Sequence, residues 1–348
     1  MRAFQRRGLL ATCLSIVPNI VPSADAADDD RSNWVLFRDE FVTADGRVVD
    51  RENANVSHSE SQGWGMLFAV AFDDQPTFER IHGWTSRTLR RPSDALHAWR
   101  FEPARSPPVS DTNNATDGDI FIAAALARAA ARWHMPQYHK AAAVIVNAVL
   151  RLLVHRTGTR TVLLPGVTGF ERPEGVIINP SYYALPFIAE LARLAPSPHW
   201  DHVLADGVSV IERGRFGPWQ LPPDWLLVRS SPMSLDPAPG WPPRFSYDAI
   251  RVPLWFVWGR RPTGDMQDAL ERYWTSFAPG QVPAWIDLVT NEMASYFASP
   301  GMTAVMRLTL AAMHATPPDL PQVAAGMGYY DAALILLSRI ASQETPQR

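Results

Sequence analysis

Apolar residues recur at helical spacing over most of the chain. The clearest stretch is 117–134, where alanines and larger apolar residues return at intervals of three and four. The same spacing predicts helices over residues 33–42, 59–72, 76–89, 117–134, 136–154, 180–194, 200–213, 250–259, 266–277, 302–315 and 329–341. Strand patterns are scarce, and the threonine-rich stretch 157–164 is the candidate strand or hairpin. The pattern therefore predicts an all-α protein of roughly a dozen helices.

Several predicted helices are apolar around much of their circumference, as residues 120–131 show. Helices of this kind are buried between other helices. The proline-rich segments 105–114, 218–225 and 230–244 lie between them, and long ordered loops often carry function. Composition does not change abruptly after residue 26, so we expect one helical domain, residues 27–348, with its functional loops at one end.

The N-terminus has the three parts of a signal peptide. Residues 1–7 are basic, residues 8–21 are mostly apolar, and Ala24-Asp25-Ala26 supplies a small-x-small cleavage site. The apolar run is too short to span a bilayer and is broken by Pro18. A lipobox at 10–13 and a twin-arginine signal at Arg6-Arg7 are weaker interpretations. We therefore expect residues 1–26 to be removed and a periplasmic or secreted protein without stable membrane insertion.

Charge and cysteine content exclude several classes of function. A formal net charge of -3 does not suggest a nucleic-acid partner. The single cysteine, Cys13, lies in the predicted leader, so a mature chain has no disulfide, thiol nucleophile or cysteine-bound metal. His199 and His202 are spaced for one helix face, but no carboxylate motif completes a metal site. The sequence contains no G-x-S-x-G motif and no phosphate-binding loop, so we expect neither a metal nor a cofactor.

Three carboxylates stand at predicted helix entrances: Glu60, Asp117 and Asp248. A capping box between Thr116 and Asp119 explains Asp119 but not Asp117 equally well. Asp117 gains a little from the helix dipole, and Asp248 has a structural explanation as a capping residue paired with Arg251. Together the three carboxylates also satisfy the needs of glycoside hydrolysis with inversion, which takes one protonated carboxyl and one carboxylate base with room for water between them. The thirteen tryptophans fit either a helical core or sugar-stacking surfaces, so composition leaves both open.

Four motifs, in order, resemble glycoside hydrolase family 8. Residues 115–119, ATDGD, and the alanine-rich turns after them resemble its signature. The other three are SESQGWG at 59–65, which resembles its general-acid motif, NPSY at 179–182, and SYDAIR at 246–251, which resembles its base motif. The resemblance extends from about residue 34 to residue 337, nearly the whole predicted mature chain.

The resemblance implies an (α/α)6 barrel, with six inner and six outer helices, and an inverting, mostly endo-acting hydrolase. Within the family, the chain looks most like the exported enzymes encoded with bacterial cellulose synthase. That likeness implies β-1,4-glucan as substrate and a cellulose synthase or export machinery as a possible partner. Xylanase and chitosanase activities remain alternatives, as does a non-catalytic glucan-binding scaffold.

Site roles follow from the same motifs. Glu60 would be the general acid, Asp248 the general base, and Asp117 would bind and orient the sugar. The resemblance also implies a substrate-binding set made of Trp99, as a stacking platform, with Trp64, Tyr182, Arg251 and Tyr330.

Three positions depart from the family pattern, of which Ala127, in place of a larger apolar residue or glycine, affects packing only. Ser61 replaces the usual glycine beside the acid, and Trp64 replaces the more usual tyrosine. We expect Asp117 and burial against Trp64 to keep Glu60 protonated, and Arg251 to keep Asp248 ionised. Inversion requires the carboxyls of Glu60 and Asp248 to lie roughly 6.5–9.5 Å apart.

Overall fold

A computed structural model of the chain describes residues 24–230, 234–261 and 264–345. Eleven α-helices lie within these residues. They are α1 (Ala24–Phe41), α2 (Ser59–Ala71), α3 (Gln75–Thr88), α4 (Thr116–Trp133), α5 (Pro136–Leu152), α6 (Leu185–Leu194), α7 (Pro198–Arg213), α8 (Arg251–Trp258), α9 (Gly264–Thr275), α10 (Pro300–Met313) and α11 (Tyr329–Glu344).

Every helix predicted from the spacing of apolar residues has a counterpart, so the predicted helical class is confirmed. The clearest difference in boundaries lies at 180–194, where a 3-10 turn, Pro180–Tyr182, precedes α6. Asn179 caps that turn by accepting the N–H of Ser181 at 2.9 Å. Pro186, in the first turn of α6, has no N–H to donate to a carbonyl four residues earlier, so a continuous helix over 180–194 would lose that bond and α6 begins beside the proline instead.

Six helices form a closed inner ring. Around the ring, each of α2, α4, α6, α8, α10 and α11 contacts the next, and α11 returns to α2. Five helices pack outside this ring: α1 against α11 and α2, α3 against α2, α5 against α4, α7 against α6, and α9 against α10. The chain therefore forms the predicted (α/α)6 barrel. The predicted sixth outer helix is wrong, because residues 314–328, between α10 and α11, contain no helix.

One continuous cluster of buried apolar residues runs through the ring and its outer helices. Aromatic side chains occupy much of it, and Trp34, Trp200 and Trp255 are among the largest fully buried ones. Many tryptophans thus fill the core, although others remain partly exposed in loops. None of the helices in the described residues is both long and apolar enough to cross a bilayer. The predicted leader, residues 1–26, falls almost wholly outside the described residues.

Short antiparallel strands organise the loops. They are β1 (Ser57–His58), β2 (Arg100–Phe101), β3 (Val154–Thr157), β4 (Arg160–Leu163), β5 (Glu171–Arg172), β6 (Gly175–Ile178), β7 (Leu226–Arg229), β8 (Leu235–Pro237), β9 (Arg244–Phe245) and β10 (Ile286–Asp287). The predicted hairpin at 157–164 is confirmed by the pair β3–β4. The pairs β1–β2 and β9–β10 and the four-stranded sheet β5–β6–β7–β8 hold the loops that lead into α2, α8 and the 3-10 turn.

Candidate active site

The N-termini of α2 and α4 meet at two glycines. A Cβ on Gly118 would lie 2.2 Å from Ser59 Oγ and 2.8 Å from the backbone nitrogen of Glu60. One on Gly63 would lie 2.6 Å from the Cβ of Phe121. Real Cβ atoms do not tolerate such separations, so both helices can approach this closely only with glycine at these positions. The contact brings Glu60 and Asp117, each in the first turn of its helix, next to each other.

Arg251, the first residue of α8, joins the three predicted carboxylates. Its Nη1 donates to Glu60 Oε2 at 2.9 Å, and its Nη2 donates to Asp248 Oδ1 at 2.7 Å. Nη2 also lies 3.9 Å from Asp117 Oδ2 and donates to Ser181 Oγ at 2.8 Å. Burial opposes the charge of this side chain, but Glu60 and the other acidic neighbours hold the pKa of Arg251 well above its ordinary value.

Asp117 is the most deeply buried carboxyl of this group. Burial is the main reason that its pKa lies well above the ordinary value, and the charge of Glu60 and a hydrogen bond to Glu60 add to it. A buried carboxyl beside another carboxylate is expected to remain protonated. We expected Asp117 to keep Glu60 protonated. Instead, it is the pKa of Asp117 that the site raises, and Glu60 accepts a hydrogen bond from Arg251.

Asp248 lies in a turn that ends where α8 begins. Burial raises its pKa, Arg251 lowers it, and the charge of Glu60 raises it again. The side chains of Asn179 and Trp225 also favour its ionised form. The predicted interaction with Arg251 is present, but burial outweighs it, so the net pKa shift of Asp248 is upward. Its side chain is 30% exposed, which leaves one side open to the cleft.

The predicted capping box at 116–119 is wrong. The N-cap of α4 is Ala115, and Thr116 donates its hydroxyl to the carbonyl of Leu164 at 2.6 Å. Asp119 is fully buried and binds a distant segment, accepting the backbone N–H of His97 at 2.9 Å and Nδ2 of Asn114 at 3.0 Å. Its Oδ1 also lies 2.9 Å from Nδ1 of His97. Asp119 therefore tethers both ends of the loop that carries Trp99.

Trp99 lies beside the acid and keeps part of its surface exposed. Its carbonyl accepts the N–H of Ser59 at 3.0 Å, which fixes it next to α2. The indole stacks on the ring of His58 at 6.0 Å and donates from Nε1 to Asp111 Oδ2 at 2.8 Å. A partly exposed indole with a fixed orientation suits the predicted platform for a sugar ring.

Ser61 has a clear structural role. Its hydroxyl accepts the backbone N–H of His58 at 3.0 Å and donates to the carbonyl of His58 at 2.8 Å. His58 is the N-cap of α2, so the side chain closes the first turn of the helix on which Glu60 stands.

The structure contradicts a substrate-binding role for Trp64. The residue has no exposed surface, so a sugar in the cleft cannot touch it. It lies one layer below, where its ring stacks on Tyr329 at 6.5 Å and faces the guanidinium carbon of Arg251 at 5.6 Å. Trp64 therefore supports the charged cluster from beneath.

Tyr182 and Tyr330 are half-buried at the edge of this cluster. Burial, followed by the charge of Asp117, raises the pKa of Tyr182 well above its ordinary value. Burial also raises the pKa of Tyr330, whose hydroxyl donates to the carbonyl of Tyr247. Both phenols therefore remain protonated at neutral pH. Because Tyr330 already donates its hydroxyl hydrogen to Tyr247, it offers the cleft an acceptor oxygen, and the substrate contacts of both residues stay predictions.

The motif analysis missed Asp224 and Trp225. Burial and then the charge of Asp248 raise the pKa of Asp224 to about 8, and Trp225 faces Asp248. Both residues lie in the proline-rich segment 218–225, whose composition was the available signal. Around the cluster, Trp225 stacks on Phe170 at 5.8 Å and on Trp241 at 4.8 Å, and Tyr247 approaches Tyr296 with hydroxyls 3.1 Å apart.

Comparison with known proteins agrees with the motifs. The model of the family "Glycosyl hydrolases family 8" matches residues 10–344. A probable endoglucanase of Novacetimonas hansenii is 42% identical over 93% of both chains, and an endoglucanase of Cellulomonas uda is 38% identical over 87% of this chain and 83% of that one.

Solved structures agree as well. The endo-beta-1,4-glucanase CMCax from Acetobacter xylinum superposes with a TM-score of 0.86 at 42% identity, covering 92% of this chain and 99% of that one. The family 8 endoglucanase Cel10 from Klebsiella pneumoniae superposes with a TM-score of 0.85 at 37% identity, covering 90% and 99%. The chain belongs to the family 8 glycosyl hydrolases.

Proposed function

We propose that this glycosyl hydrolase is an endo-acting β-1,4-glucanase that inverts the anomeric carbon, and that residues 27–348 form its catalytic unit. The observation that carries the proposal is the single buried guanidinium of Arg251 between Glu60 and Asp248, at 2.9 and 2.7 Å. The two carboxyls bind different nitrogens of the guanidinium, which therefore lies between them. Inversion requires an acid and a base with room for water between them, and the expected spacing of roughly 6.5–9.5 Å between these carboxyls stays a prediction.

Glu60 is assigned as the general acid and Asp248 as the general base. A general acid must carry a proton when it acts, and in this site Arg251 binds one oxygen of Glu60. Asp117, hydrogen-bonded to Glu60, holds that proton. It passes from Asp117 to Glu60 and then to the oxygen of the leaving sugar. Water attacks from the opposite face and gives its proton to Asp248, and solvent restores both groups after the products leave.

The relatives named above support β-1,4-glucan as the substrate, and Trp99 offers the stacking surface that a glucose ring needs. Product analysis by NMR on cellopentaose, xylan and chitosan tests this choice. We expect cleavage of cellopentaose and an initial product in the α-anomeric form. Preferred cleavage of xylan or chitosan would identify one of the alternative activities, and an initial β-anomer would contradict inversion.

Replacing Glu60 by glutamine tests the acid. We expect Glu60→Gln to lose at least about 1,000-fold in kcat on cellopentaose, since general acid catalysis is removed, while its Kd for the oligosaccharide stays within about threefold. Glu79→Gln, an exposed change on α3, is the matched control and should behave like the wild type. Near-normal turnover by the Glu60 variant would refute the assignment, and an inactive wild type that still binds glucan would identify a scaffold.

We further propose that the enzyme acts after export, in the periplasm or outside the cell, on glucan made or released by a cellulose synthase or export machinery. Support for export comes from the leader-like sequence of residues 1–26. Mass spectrometry of the N-terminus of protein recovered outside the cytoplasm tests it, and an uncleaved Met1 there would count against the leader.

A further inference from the structure

The turn that carries Asp248 is held by a side-chain carboxyl group from another part of the chain. Asp224 lies just before β7, and its backbone N–H donates to the carbonyl of Arg244 at 2.7 Å. Its side-chain Oδ1 accepts the N–H of Ser246 at 3.1 Å and that of Ala249 at 2.8 Å. One oxygen atom therefore binds the backbone on both sides of Asp248.

These two hydrogen bonds stabilise the turn before α8, where no local side chain caps the helix. Ile250, the N-cap of α8, makes no side-chain capping bond. Ser246 and Ala249 are buried, so without Asp224 their N–H groups would lose a partner in a place that water reaches poorly. Within the turn, the N–H of Ile250 donates to the carbonyl of Ser246 at 3.0 Å, and that of Arg251 to the carbonyl of Asp248 at 3.0 Å. The orientation of Asp248 thus depends on a turn with two remote side-chain anchors: Asp224, which accepts two of its N–H groups, and Tyr330, whose hydroxyl donates to the carbonyl of Tyr247.

We propose that Asp224 is a positioning residue for the general base: it fixes the turn 246–249 so that the carboxylate of Asp248 faces the attacking water. This role rests on the proposed function, since Asp248 is the base only there. Asp224 acts through Asp248 and need not touch the substrate. Its neighbour Trp225 faces Asp248 as well, so the segment 224–225 supports the base from two sides.

Replacing Asp224 by alanine and by asparagine distinguishes a positioning role from a substrate contact. Asp224→Ala removes the acceptor, whereas Asp224→Asn keeps an oxygen that can accept both N–H groups. A displaced base should lower kcat on cellopentaose by about 10- to 100-fold with KM nearly unchanged. Moving a catalytic group by about 1 Å reduces the rate of the catalytic step by a factor of this size. We expect this result for alanine and recovery to within about threefold of the wild type for asparagine.

Asp287→Ala is the matched control. One oxygen of Asp287 likewise accepts two backbone N–H groups, those of Val289 and Thr290, both at 2.9 Å, in a loop next to the base segment. Removing it should leave kcat unchanged. If Asp224→Ala does not fold, Asp224→Asn is compared with Asp224→Leu, which keeps the branched shape of the side chain but has no acceptor.

The outcomes are distinct. Wild-type kcat in Asp224→Ala, or equal losses in the alanine and asparagine variants, would overturn the positioning role while leaving the proposed function intact. A rise in KM at constant kcat would overturn it too, since that marks a substrate contact. An inactive wild type would instead remove the proposed function on which the role of Asp224 rests.

Discussion

Ser61 shows how one side chain stabilises the helix that presents the acid. It makes two hydrogen bonds to the backbone of His58, whereas glycine, the usual residue of the family pattern, has no side chain to make them. Loss of an N-terminal cap costs about 1 kcal/mol. Ser61→Ala should therefore lower the free energy of unfolding by about 1 kcal/mol, measured by urea denaturation.

Catalysis should be less sensitive than stability to this change, because Arg251 still holds Glu60 at 2.9 Å. We expect kcat of Ser61→Ala to stay within about threefold of the wild type. Ser86→Ala on α3 serves as the comparison, and a stability loss of equal size in both variants would contradict the capping role of Ser61.

The motifs identified the residues of the site, but they did not show which carboxyl carries a proton. Glu60, Asp248 and Arg251 are recognisable from their spacing in sequence. Which carboxyl keeps a proton depends on burial and on distances between helices, which a linear pattern does not contain. Asp224 was missed for a related reason: its hydrogen-bond partners lie 22 and 25 residues further along the chain.

The close contact between α2 and α4 fixes the positions of Glu60 and Asp117 relative to each other. A methyl group on Gly118 would collide with Ser59 and with the backbone of Glu60. Gly118→Ala should therefore push the two helices apart and lower kcat on cellopentaose by about 10- to 100-fold, as misplacement of a catalytic group does.

Gly83→Ala in α3 is the control for this helix contact. There the nearest atom to a new Cβ is the flexible end of Arg87, at 3.0 Å, so the change should leave kcat unaffected. If Gly118→Ala kept wild-type kcat, the close approach of α2 and α4 would not be needed for catalysis.

The spacing of apolar residues predicted the helices well because each helix buries an apolar face, which leaves a periodic pattern in its own sequence. The same spacing did not predict the elements whose structure depends on contacts between distant segments. The two-residue strands β1, β2, β9 and β10 are too short for any alternation to show, and their pairing comes from segments far apart in sequence. The expectation of six outer helices came from the family resemblance. The spacing of apolar residues predicted no helix between 302–315 and 329–341, and residues 314–328 are irregular in the structure.

For the whole molecule, buried acids make stability depend on pH. The pKa values of Asp117, Asp119, Asp224 and Asp248 are all raised, in each case chiefly by burial. An acid with a higher pKa in the folded state binds its proton more tightly there, so it favours folding at low pH. That contribution declines as pH rises from the unfolded to the folded pKa. For Asp224, the window extends from 3.8 to about 8.

We therefore expect the Tm of the wild type to fall between about pH 5 and about pH 8, and that of Asp224→Asn to fall less, since asparagine does not titrate. Calorimetry at three pH values measures both slopes. Asp287→Asn is the control: hydrogen bonds from the loop hold the pKa of Asp287 below its ordinary value despite partial burial, so it is already ionised throughout this range. Identical slopes for wild type and Asp224→Asn would contradict the raised pKa of Asp224.

The closure of the ring by α11 has a consequence for how the protein is made. This helix contacts α2 and α10, ends in Glu344, which pairs with Arg128 of α4, and contributes Tyr330 to the site. While a ribosome still holds residues 329–344, the ring remains open on one side and Arg251 lacks its neighbour Tyr330. A nascent chain thus has no complete cleft, and it can cut glucan only after its last inner helix has been released and has docked.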